Sequence, residues 1–121
     1  MKTMASVLAL AICLGILCGV GNAEEKYGIV VYTGAKYDSG STEFLKQMSP
    51  QSAAYRTGDS IEKVIAFYRK QPGFTLVGDS TKEGAMFRKG KMDVTVQSPW
   101  MDTKTGKLMK DTLISIVTRP E

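Results

Sequence analysis

At 121 residues, with sixteen basic against twelve acidic side chains, the chain is the size of one ordinary domain and only mildly basic. So small a surplus excludes the electrostatic footprint of a nucleic-acid-binding protein. There is no histidine, and the two cysteines, Cys13 and Cys18, both fall within the first 23 residues.

Those 23 residues form the first recognisable element. Lys2 gives a positive start, residues 7–20 are largely apolar, and Gly21-Asn22-Ala23 places small residues at the positions a signal peptidase reads. The pattern predicts a secretory signal peptide cleaved after Ala23, and hence a periplasmic or extracellular protein. A lipoprotein anchor would need a small residue before its cysteine, but Cys13 follows Ile12 and Cys18 follows Leu17. A membrane helix would need about 20 apolar residues, and this run is shorter and broken by Gly15 and Gly19. Cleavage removes Lys2 and leaves fifteen basic against twelve acidic residues, with no thiol, no imidazole and no membrane span. Without a disulfide, apolar packing alone must hold residues 24–121 together as one α+β domain.

Residues 27–32 are β-branched and aromatic and predict a first strand ending at Thr33-Gly34. Residues 38–51 read as a loop with one short helical turn, and residues 52–57 as a second strand. A helix begins at Asp59, expected as its cap with Glu62 in the first turn, and Ile61, Val64, Ile65 and Tyr68 fall on one face. Arg69 and Lys70 suit its last turn, and Pro72-Gly73 stops it. Four strands follow, over 74–77, 85–88, 92–97 and 112–118, with a tight hairpin at Lys89-Gly90-Lys91. Met92, Val94 and Val96 alternate with Asp93, Thr95 and Gln97, the pattern of a half-buried antiparallel sheet. The expected architecture is therefore α+β: a curved antiparallel sheet, in the order β-β-α-β-β-β-β, with one α-helix on its apolar face.

Catalytic chemistry finds little to work with. Without histidine or cysteine the common general base, the thiol nucleophile and most zinc ligands are missing, and no cofactor is expected. Residues 102–107, Asp-Thr-Lys-Thr-Gly-Lys, match neither a calcium loop nor a phosphate loop; the latter would need a glycine at Met101 and Ser or Thr at Leu108. Two segments could instead form a contact surface. In one, Tyr32, Gly34, Lys36 and Tyr37 surround a small-residue turn; in the other, Pro99, Trp100 and Asp102 open a long loop whose proline would stiffen a presented tryptophan. The plainer alternatives are that Gly34 closes a turn and that Trp100 folds back to cap an open end of the core. The basic clusters Arg88, Lys89, Lys91 and Lys104, Lys107, Lys110 fall at opposite ends of the sheet and make no continuous track.

The segments Tyr32-Thr33-Gly34-Ala35-Lys36-Tyr37, Asp59-Ser60-Ile61-Glu62-Lys63-Val64 and Pro99-Trp100-Met101-Asp102 resemble small exported bacterial proteins of unknown function. That resemblance implies an exported α+β protein and brings no activity. Pro99-Trp100 in a hairpin is also similar to the tip of cystatins, inhibitors of cysteine proteases, although the Gln-x-Val-x-Gly box of that family has no counterpart before Pro99. The expected function is thus a non-catalytic binding module with an unknown envelope protein as partner. The alternatives are a carrier of a small apolar ligand lined by Phe67, Phe74, Met86, Phe87 and Trp100, or a hydrolase inhibitor acting through Pro99-Trp100.

Overall fold

The computed structural model describes residues 24–119; the expected signal peptide, with both cysteines, lies outside the described residues. The first elements are β1, Glu25–Lys26, and β2, Ile29–Val30, which pair as a small separate hairpin. The continuous strand expected over 27–32 is broken because Tyr27 and Gly28 take positive φ, 54° and 80°. Two such residues in succession are what a tight hairpin turn requires, and glycine supplies one of them without strain. Ile29 and Val31 still bury their side chains against the main core.

Six strands build the principal sheet. In chain order they are β3 (Lys36–Tyr37), β4 (Ser52–Thr57), β5 (Thr75–Val77), β6 (Gly84–Lys89), β7 (Met92–Gln97) and, after a further hairpin, β10 (Thr112–Thr118). Their lateral order is β3-β4-β10-β7-β6-β5, every neighbour antiparallel. The last strand of the chain therefore sits inside the sheet, with Ile114 opposite Tyr55 on one side and Val96 on the other.

Strand alternation sorts the side chains onto two faces. Ala53, Tyr55, Ile114, Ile116, Val94, Val96, Ala85 and Phe87 meet α2, Ile61–Arg69, whose Ile61, Val64, Ile65 and Tyr68 are buried. The helix cap is one residue later than the sequence suggests. Ser60, not Asp59, accepts the Lys63 N–H at 3.3 Å, because the Asp59 carboxylate is engaged by the Tyr32 hydroxyl. The Tyr68 hydroxyl donates to the Val30 carbonyl at 2.9 Å, satisfying the one polar atom this buried ring brings with it.

The opposite face holds a helix where one turn was expected. Helix α1, Ser39–Lys46, is capped by Asp38, which accepts the Ser41 N–H at 3.0 Å. Its sequence is poor in helix formers, and tertiary contacts sustain it. The buried Thr42 hydroxyl accepts the Ala54 N–H at 2.8 Å, and Leu45 packs on a second apolar cluster of Ala54, Trp100 and Leu113. No helix among the described residues is long and apolar enough to cross a membrane.

Val64 is fully buried at the centre of the α2 face. Val64→Asp would leave an uncompensated charge there and is expected to cost about 4–5 kcal/mol. Glu62→Ala, on the exposed face of the same helix, should stay within about 0.5 kcal/mol of wild type. Thermal or urea unfolding of the two variants checks the assignment of the face.

Candidate functional site

The turn after β2 is closed by Ala35 N–H donating to the Tyr32 carbonyl at 3.0 Å, with Gly34 at φ 85° in the position where a type II turn needs a left-handed residue. This turn delivers the chain to β3 at the sheet edge. Lys36 there lies opposite Arg56 and Tyr37 opposite Tyr55. The Tyr37 ring meets Tyr55 edge-on at 5.7 Å and leaves about half its surface, 52 %, in solvent.

Between this edge and the ends of β4 and β10 opens a cleft of about 450 Å³, lined by Gly34, Lys36, Tyr37, Asp38, Arg56, Thr57, Gly58 and Asp111. Arg56 is its organising side chain. Its Nε–H donates to Asp111 Oδ2 at 2.8 Å, its Nη1 lies 3.8 Å from Asp38 Oδ1, and its guanidinium covers the Trp100 ring at 5.2 Å. The other oxygen of Asp111 accepts the indole N–H of Trp100 at 2.9 Å. One carboxylate thus fixes both the cation and the aromatic plate beneath it. The bond to Asp111 raises the Arg56 pKa further, so the guanidinium keeps its charge at any working pH.

Trp100 is only 4 % exposed. The tryptophan is therefore not presented at a tip. The capping alternative is the one observed, because Asp111 offers the indole N–H an acceptor and Ala54, Leu113, Leu45 and Met109 surround the ring. Pro99, preceded by a cis peptide bond, stays on the surface. Asp102 turns into its own hairpin, accepting from Lys104 N–H at 3.0 Å and the Thr105 hydroxyl at 3.1 Å, bonds that hold its pKa below the usual carboxylate range. Of the candidate residues, Gly34, Lys36 and Tyr37 line the cleft, Trp100 supports it through Arg56, and Pro99 and Asp102 lie outside its lining.

Tyr32 faces the other way. Its hydroxyl donates to Asp59 Oδ2 at 2.5 Å and its ring meets Phe67 edge-on, so it ties the turn to the start of α2. The five residues expected to line an apolar ligand pocket do not line one together. Phe67, Phe74 and Phe87 close around Tyr68, Met86 alternates to the opposite face opposite Thr95, and Trp100 belongs to the second cluster.

Arg56, Asp38 and Asp111 carry no local motif. Only the pairing of β4 with β10, which sets Thr57 opposite Thr112, brings Arg56 and Asp111 together across 55 residues of sequence. Comparisons with protein-family models, curated proteins and solved structures found no match for this chain.

The hydrogen bond to Asp59 raises the Tyr32 pKa to about 12, and burial followed by the bond to Glu24 does the same for Tyr55. A free tyrosine loses its proton near about 10. Raised folded-state values mean that the stabilisation is complete below about pH 10 and is lost as pH rises towards about 12, where the unfolded chain has already released these protons. Melting temperature followed upward from neutral pH should be level to about pH 10 and then fall, and Tyr32→Phe should lessen the fall.

Proposed function

We propose that the protein is an exported, non-catalytic interaction module, periplasmic or secreted after removal of residues 1–23, that engages an envelope protein through the cleft at the β3 edge. The observation that carries this reading is the construction of the cleft. Its wall, Arg56, is held on three sides by Asp111, Asp38 and Trp100, while Lys36 and Tyr37 on its rim remain exposed. Rigid support beneath exposed aromatic and cationic side chains lowers the ordering cost of binding, and tyrosine and arginine are the residue types that dominate contact energies. The lining is polar and carries both signs of charge, which suits a polypeptide surface better than an apolar small molecule.

A photo-crosslinking side chain placed at position 36, in protein expressed with its leader in its own host, should yield one discrete adduct, and the same group at Lys63 on the exposed side of α2 should yield none. Tyr37→Ala in the position 36 background should abolish the adduct. Crosslinking from both positions alike, or from neither, would overturn this reading.

A further inference from the structure

The 98–111 segment that buries Trp100 also builds a second surface, made of residues that do not line the cleft. Its two short strands, β8 (Trp100–Met101) and β9 (Leu108–Met109), pair with Met101 opposite Leu108 and Trp100 opposite Met109. Alternation sends Trp100 and Met109 inward to the second cluster and leaves Met101 and Leu108 outward as a cross-strand pair, 55 % and 57 % exposed. Phe44 of α1 stands across a narrow groove from Met101. Phe44, Met101 and Leu108 are half of the six large apolar side chains that the described residues expose.

The hairpin tip is ordered by its own bonds. Besides the two contacts to the Asp102 carboxylate, Gly106 N–H donates to the Asp102 carbonyl and Asp102 N–H to the Lys107 carbonyl. This tip displays Lys104 and Lys107, with Lys110 at its base, all exposed. The nearby acids cancel them only in part. Asp111 is shared by Arg56 and Trp100, Asp102 stays ionised within the tip, and Glu43 reaches Lys104 at 3.8 Å between two exposed side chains, a weak and screened pair. This leaves three lysines against the carboxylates of Asp102 and Glu43.

We infer that this face docks the protein on an anionic lipid surface. Apolar side chains flanked by lysines are the combination that lodges at the boundary between headgroups and acyl chains. The charge argues against a second copy of the chain, since an isologous contact through this face would bring two net-positive surfaces together. The size argues against a small molecule, because the groove beside Met101 holds only about 210 Å³, less than the roughly 300 Å³ at which ligand pockets begin.

The test is co-sedimentation of the purified protein with phosphatidylcholine vesicles that contain or lack phosphatidylglycerol. Binding should require phosphatidylglycerol and weaken with added salt. Lys104→Ala with Lys107→Ala should reduce it about 30-fold, the loss expected for two lysines near such a surface. Met101→Ser with Leu108→Ser should also abolish retention, while the circular dichroism melt moves only by the small shift that losing a half-exposed cross-strand pair produces. No binding to the anionic vesicles, or binding indifferent to both pairs of substitutions, would overturn the inference. So would concentration-dependent self-association that the serine pair removes, which would make the face a contact between copies.

Discussion

The position of the last strand is the constraint on which the rest depends. β10 enters the sheet between β4 and β7, so that strands distant in sequence become neighbours only when the C-terminal segment is in place. Ile114 and Ile116, both fully buried, fill the α2 face beside Val94, Val96 and Ala53, while Leu113 and Ser115 serve the other face. A sheet closed by its final strand is rich in contacts between distant residues, a topology that folds more slowly than one built from successive hairpins.

The same insertion makes the candidate site. Asp111 immediately precedes β10, and the register that pairs Thr112 with Thr57 sets its carboxylate against Arg56 at the end of β4. From there the contacts run in two directions, through Asp38 to the cap of α1 and through the Trp100 indole to the β8–β9 hairpin. Hydrogen bonds to charged groups contribute about 1.5–3 kcal/mol each, more than the solvent-screened ion pair between Lys104 and Glu43 can supply. The cleft and the hairpin surface are therefore two outcomes of one tie. The first uses its cationic side and the second displays what lies above its aromatic side.

Much of the fold was legible in the sequence where local pattern and tertiary environment agree. Strict alternation in Met92–Gln97 and the apolar spacing of Ile61, Val64, Ile65 and Tyr68 give the observed β7 and the buried face of α2. Agreement ends where long-range contacts override local preference. α1 contains Ser39, Gly40, Ser41 and Thr42, and it is helical because Asp38 caps it and Ala54 engages Thr42. The first strand divides because Tyr27 adopts a left-handed conformation that no residue type in its neighbourhood except Gly28 would suggest. At the site, Lys36, Tyr37 and Gly34 were visible as an exposed turn, but Arg56 and Asp111 look like ordinary solvated charges until β4 and β10 are paired. Trp100 was conspicuous as a candidate contact residue, and the acceptor that draws it inward lies eleven residues ahead.

Native-state hydrogen exchange measures the central role of β10 most directly. If the last strand holds the sheet together, the amides of residues 113–117 should exchange only through global unfolding, together with those of the flanking strands β4 and β7, while the edge strand β5 and the β8–β9 hairpin open locally and exchange sooner. Exchange from residues 113–117 as fast as from Thr75–Val77 would contradict the account.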